Sequence, residues 1–177
     1  MGRKKQLLHN KKPYKTNNLT YINKNNMTTT KKFDMQFMRY MNLFSRVTGI
    51  LPKHCFAYNN MLVFIIPGFA IERAIGRDNT NLKKLSEVFG KRIRVIAEPT
   101  GLKDLGKFVK ILVYPVEFDK VEIVETVTEG NNIIKEAVVT TSNREQKAML
   151  IGRDRAREAE LKNILEQYFG AKSVKIN

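Results

Sequence analysis

The chain has 177 residues, one cysteine and a formal net charge of +15. Its length allows one ordinary domain or two small ones, and a hydrophobic content of 42% is enough for a packed core. The single Cys55 excludes an internal disulfide framework and favours a reducing compartment, for which we expect the cytoplasm. No apolar run approaches the roughly 20 residues that cross a bilayer, so we expect no membrane partner.

The charge is concentrated at the N-terminus. The first 33 residues contain nine Lys or Arg residues and no acidic residue, and they sustain no helical or strand period. Residues 1–32 are therefore predicted to form a disordered basic tail. The remainder keeps +6 of the charge, which favours phosphate-bearing partners through long-range attraction. Charge alone leaves RNA, DNA and anionic lipid open.

The first predicted unit spans residues 33–99. It begins with a helix near Phe33, for which Asp34 is the expected N-cap. Two apolar runs on either side of Asn59-Asn60 predict a β-hairpin, because asparagine tolerates the positive φ of a two-residue turn. A short helix, a glycine-containing loop, an amphipathic helix and a strand complete the unit. The predicted order is α-β-β-α-α-β.

Residues 100–177 repeat this order. A helix over Leu102–Leu112 joins the two units, two strand-like runs flank a turn-rich connection at 128–132, and two helices and a strand follow. The tetrapeptide Ile-Gly-Arg-Asp at 75–78 recurs identically at 151–154. Each copy is followed by an amphipathic helix, a Phe-Gly pair and a strand, so the sequence indicates an internal duplication.

The repeated tetrapeptide lies between two predicted helices. Glycine lets the backbone pass close to a ligand, and the helix that follows presents unpaired N–H groups and the positive end of its dipole. A phosphate there can be held by Arg77 in the first copy and by Arg153 in the second. Apolar side chains of the helix and the next strand can form a groove for unstacked bases. The alternative is that both arginines are merely solvated loop residues.

Residues 75–82, Ile-Gly-Arg-Asp-Asn-Thr-Asn-Leu, resemble the I-G-x-x-G-x-N-hydrophobic signature of KH domains. The wider layout resembles the archaeal NusA-like transcription factors over roughly residues 35–177. The resemblance implies an α/β (α+β) fold with two tandem type II KH domains, at 33–99 and 100–177. Each domain would be a three-stranded sheet backed by three helices. The sequence departs from the family at the second glycine of each loop, which Asn79 and Arg155 replace.

The candidate RNA contacts are the loop residues and the cations beside them. They are Arg73, Gly76, Arg77, Asp78, Asn79, Asn81, Lys83 and Lys84 in the first unit and Gly152, Arg153, Asp154, Arg155 and Arg157 in the second. For Asp78 and Asp154 we favour a role as N-caps of the following helices, with RNA contact as the alternative. The second unit is either a second binding module or a scaffold that no longer binds.

The resemblance implies a single-stranded RNA-binding protein that acts with RNA polymerase in transcription elongation, termination or antitermination. Two alternatives stay open, namely a ribosome-associated or ribosome-assembly KH protein and a protein-interaction module with degenerate KH loops. No His/Cys cluster has zinc spacing, and no Ser/His/Asp set falls at turn positions. We therefore expect no enzyme activity, metal, cofactor or small-molecule substrate.

Overall fold

A computed structural model describes residues 30–127 and 133–177, with side chains from residue 35 onwards. These residues form six α-helices and two three-stranded sheets, so the fold is α+β. The first half contains α1 (Thr30–Thr48), β1 (His54–Tyr58), β2 (Met61–Ile66), α2 (Ile71–Ile75), α3 (Thr80–Phe89) and β3 (Arg92–Ala97). The second contains α4 (Leu105–Val113), β4 (Lys120–Val127), β5 (Ile133–Thr140), α5 (Arg144–Ile151), α6 (Ala156–Phe169) and β6 (Ser173–Ile176).

The two sheets have the same topology. Their strand orders are β1-β2-β3 and β4-β5-β6, and the central strand pairs antiparallel with the strand before it and parallel with the strand after it. The parallel pair requires a crossover, which is the pair of helices that carries the repeated tetrapeptide. The predicted α-β-β-α-α-β order is confirmed in both halves.

The predicted hairpin around Asn59-Asn60 is confirmed. Both asparagines have positive φ, 46° and 57°, and strands β1 and β2 pair directly on either side of them. Two successive positive φ values are the requirement of a type I′ turn, whose twist matches that of the flanking strands.

The predicted start of the first helix is wrong. Helix α1 begins at Thr30, so Asp34 lies inside the helix and is not its N-cap. Lys31 and Lys32, which we assigned to the disordered tail, are good helix formers and continue the helix towards the N-terminus. The rest of the predicted tail, residues 1–29, and the connection at 128–132 lie outside the described residues.

The described parts of the two halves share a hydrophobic core. All six residues of β2 are buried, because alternate side chains of this strand face opposite directions and both faces are covered. Leu62 and Phe64 lie in the cluster formed by the first half alone. Val63 and Ile65 belong to a second cluster that includes α4, α6 and the second sheet. Strand β2 therefore contributes side chains to both clusters.

Polar contacts reinforce the junction between the halves. The guanidinium of Arg94 on β3 donates to the carbonyl oxygens of Ile111 at 2.8 Å and Leu112 at 2.7 Å, where α4 ends. Carbonyls in the last turn of a helix lack intrahelical donors, so the guanidinium satisfies them. The backbone N–H of Asn59 donates to Oε2 of Glu160 on α6 at 2.8 Å. Among the described helices, none is long and apolar enough to span a membrane.

Candidate nucleic-acid interface

The glycines of the repeated loops, Gly76 and Gly152, have nearly the same backbone angles. Their φ and ψ are 75° and 166° in the first loop and 73° and 172° in the second, a region that is essentially open only to glycine. A Cβ on Gly76 would lie 2.9 Å from Nδ2 of Asn81, and one on Gly152 would lie 2.7 Å from Cγ of Arg157. The missing Cβ thus makes room for the protein's own side chain.

The side chain five residues after each glycine holds the loop together. Nδ2 of Asn81 donates to the carbonyl oxygen of Arg73 at 3.1 Å, and Nη1 of Arg157 donates to that of Met149 at 2.8 Å. Both acceptors lie three residues before the glycine, in the last turn of a helix. Asn81 and Arg157, predicted as RNA contacts, therefore tie the second helix of each pair to the first.

The two residues before α3 and the two before α6 have a left-handed backbone conformation. Asp78 and Asn79 have φ of 53° and 60°, and Asp154 and Arg155 have φ of 52° and 57°. The N-caps of α3 and α6 are the second residues of these pairs, and neither helix receives a side-chain capping bond. The prediction that the aspartates are N-caps is wrong, because each aspartate lies one residue before the N-cap of the following helix.

The first loop displays cations that have no internal partner. Arg73, Arg77, Lys83 and Lys84 are exposed on α2, the loop and α3. Within the described ranges, none of these four side chains makes an ion pair or hydrogen bond. Their charges therefore remain available to an anion that approaches this end of α3.

The arginines of the second loop are largely engaged. Nη2 of Arg155 lies 2.6 Å from Oε1 of Glu158, and this hydrogen bond raises the pKa of the guanidinium. Arg157 is held by the Met149 carbonyl. Arg153 is exposed and makes no ion pair with another described residue. The second loop therefore offers fewer uncommitted cations than the first.

A small cavity adjoins the second loop between α6 and β6. Its volume is about 170 Å³, and its lining is Arg155, Glu158, Ala159, Lys162 and Val174. Glu158 was not predicted as a site residue. Alignment of the repeats could have identified it, because Glu158 follows Gly152 at the distance at which Leu82 follows Gly76. The helix after the second loop thus has a carboxylate where the helix after the first loop has an apolar side chain.

Metal binding and nucleophilic attack by the Cys55 thiol are two further kinds of chemistry that the described residues could offer. Across residues 30–127 and 133–177, no group of three or more His, Cys, Asp and Glu residues could hold a metal ion. Burial raises the pKa of the Cys55 thiol to about 12, so the nucleophilic thiolate is scarce at neutral pH. The chemistry that the loops offer is the binding of anions by backbone donors and cationic side chains.

The chain is similar to a curated relative and to a solved structure that bear on its function. No protein-family model matches the chain. The chain is 26% identical over 103 residues to the probable transcription termination protein NusA of Methanococcus vannielii, a match that covers 58% of the chain and 56% of that relative. The chain thus spans little more than half of the relative's length. The crystal structure of APE1850 matches with a TM-score of 0.56 and 28% identity, over 81% of the chain and 99% of that protein.

Proposed function

We propose that the protein binds single-stranded RNA with two type II KH modules and acts, without catalysing a reaction, in transcription. The observation that carries the proposal is the repeated loop, which has the same backbone angles in both halves and an exposed arginine at the same position. The similarity to a probable transcription termination protein supports the setting.

The ends of the helices suit a phosphate chain. The first N–H of each helix is bonded within the preceding turn, from Thr80 to the Arg77 carbonyl and from Ala156 to the Arg153 carbonyl. No side chain caps α3 or α6, so the next N–H groups of the first turn remain for an anion. Arg77 and Arg153 are exposed three residues before these helices begin and would add charge-assisted hydrogen bonds. Single strands are favoured over duplexes because their unstacked bases can enter the grooves beside the loops.

The first loop is proposed to be the stronger site. Its four cations have no partner in the part of the chain that the structure describes, whereas Arg155 and Arg157 of the second loop are held by Glu158 and by a backbone carbonyl. An anion that binds the second loop through Arg155 must first compete with the Glu158 carboxylate. RNA would therefore engage the first module more tightly, and the second would extend the contact.

The test is the affinity of the full chain for a single-stranded RNA and a duplex DNA, measured by fluorescence anisotropy. Substituting the loop glycines would strain the backbone, so the informative variant is Arg77→Ala/Arg153→Ala. We expect a preference for the single strand and a loss of roughly tenfold or more in the variant, since a hydrogen bond to a charged group contributes about 1.5–3 kcal/mol.

The matched control is Lys103→Ala/Lys110→Ala, which removes the same charge from exposed positions in and before α4. It should bind RNA nearly as well as the parent. If the arginine variant also binds as well as the parent, the loops are not the site. A protein-interaction module with degenerate loops then becomes the better account.

The transcription setting has a separate test. We expect RNA polymerase to co-purify with the tagged full chain from its own cells, and to remain bound after ribonuclease treatment. Recovery of ribosomal subunits in place of polymerase would instead favour the ribosome-associated alternative.

A further inference from the structure

Glu158 has an unsatisfied oxygen beside the second loop. Its side chain is only 13% exposed, and Oε1 takes the hydrogen bond from Arg155. Oε2 is buried and has no hydrogen-bond partner among the described residues. Buried acceptors without a protein donor are uncommon in folded proteins. The described residues therefore satisfy one of the two carboxylate oxygens of Glu158 and leave the other as a free acceptor.

A ligand in the adjacent cavity can donate to this carboxylate, because Glu158 lines the cavity between α6 and β6. The cavity also adjoins the loop that is proposed to hold the RNA backbone, through Arg155. In the first half, Leu82 stands at the equivalent position and offers no acceptor. The two grooves would thus present different chemistry to a base that leaves the stack.

The Arg155 side chain contacts the carboxylate through one hydrogen bond, from Nη2 to Oε1. Its guanidinium is 74% exposed, so solvent screens this ion pair and another anion can reach the guanidinium. A phosphate offers the guanidinium a bidentate, doubly hydrogen-bonded partner. When Arg155 turns to a phosphate, the Glu158 carboxylate loses the one side-chain hydrogen bond that it receives from the described residues and can accept from an adjacent base.

We propose that Glu158 selects an unpaired guanine in the second groove. An ionised carboxylate only accepts hydrogen bonds, so it favours the base whose Watson–Crick edge places two N–H donors side by side. Guanine does so through N1–H and the N2 amino group, whereas uracil offers one donor, between two acceptors. Glu158 can act in this way only if the proposed function holds, because the RNA backbone must first engage the loop.

The experiment compares three single-stranded oligomers: oligouridine, oligouridine with one central guanosine, and the same strand with inosine, which lacks the N2 amino group. The strand can slide until its one purine meets the cavity. For the full chain we expect guanosine to raise affinity about tenfold over uridine, in keeping with the discrimination of a good bidentate contact, and inosine to give an intermediate value.

Two substitutions test the role of the carboxylate. Glu158→Leu, which installs the residue of the first half, and Glu158→Gln should both abolish the guanosine preference. Oligouridine affinity should not fall in either variant, because Arg155 no longer has to leave a carboxylate before it contacts phosphate. Glu166→Gln is the control, because it removes a charge from an exposed part of the same helix outside the cavity lining. It should keep the preference.

The outcomes separate the two proposals. A guanosine preference that survives in both Glu158 variants overturns base selection by Glu158. So does a parent that binds uridine and guanosine strands equally well, although oligouridine binding that depends on Arg77 would still support the proposed function. If none of the oligomers binds, the proposed function fails and the selection of guanine fails with it.

Discussion

The loops at 76–79 and 152–155 differ in their side-chain partners far more than in their backbones. Their φ and ψ angles agree closely at the glycine, at the aspartate and at the residue after the aspartate. Yet the cations of the first loop have no partner among the described residues, while Arg155 and Arg157 in the second are engaged. A duplicated backbone therefore preserves a shape that suits anions, and side chains at a few positions decide how readily each copy accepts one.

The same comparison shows how one structural task is met by different residues. Asn81 and Arg157 both cross the loop glycine and bind a carbonyl of the preceding helix. The arginine uses one of its five N–H groups for this bond and has the others left for a ligand. Its role in the fold and its predicted role in RNA binding are compatible.

The largest expected effect concerns the glycines. Gly76→Ala and Gly152→Ala should each lower the free energy of unfolding by about 2–3 kcal/mol, because the backbone region is strained for any Cβ and the space is filled. Urea denaturation measures this cost. Gly106→Ala, in α4 with open space around the new methyl group, should instead stabilise by about 0.5 kcal/mol. If the two substitutions lower the free energy of unfolding by clearly different amounts, the two loops are not structurally equivalent.

The next effect separates the loops by function. Arg77→Ala should weaken single-stranded RNA binding roughly tenfold, because an uncommitted guanidinium loses its full contact with phosphate. Arg155→Ala should cost only about threefold, since Arg155 must give up its bond to Glu158 before it contacts phosphate. Fluorescence anisotropy at one fixed salt concentration measures both. Equal losses would contradict the inequality of the two sites.

Local signals account for what the sequence could predict. The Asn59-Asn60 hairpin and the duplicated tetrapeptide depend on neighbouring residues, and both the element order and the turn chemistry followed from them. The N-terminal end of α1 was missed because Asp34 looks like an N-cap, although the lysines before it favour the helix.

Contacts between distant residues could not be predicted. The bond from Asn81 to the Arg73 carbonyl depends on the angle between two helices, and the bonds from Arg94 to α4 depend on how the halves pack. The aspartates were assigned as caps because a pattern of residue types does not reveal a left-handed backbone. In the sequence, Glu158 stands out only when the two repeats are aligned, because Leu82 occupies the same position in the first repeat.

A smaller effect tests the side chains that cross the loops. Arg157→Ala and Asn81→Ala should each lower the free energy of unfolding by about 1 kcal/mol through the lost hydrogen bond. Arg157→Asn installs the residue of the first loop and should recover much of that loss. Thermal or urea unfolding measures the series. If Arg157→Asn is no better than Arg157→Ala, the two residues are not equivalent.

The smallest effect is at the left-handed N-cap of α3. Asn79→Gly should stabilise the protein by no more than about 0.5 kcal/mol, because asparagine already tolerates this conformation better than other residues with a side chain. Paired urea titrations of parent and variant can resolve the difference. A gain well above 1 kcal/mol would mean that the first loop carries more strain than its angles indicate.

The central claim is that both loops hold the RNA backbone, and the salt dependence of binding tests it most directly. For single strands, the slope of log affinity against log salt changes by about 0.7 for each phosphate contact. Arg77→Ala/Arg153→Ala should therefore reduce the magnitude of the slope by about 1.4, while Lys103→Ala/Lys110→Ala leaves it nearly unchanged. An arginine variant with the parent's slope would contradict the claim that the loops bind RNA.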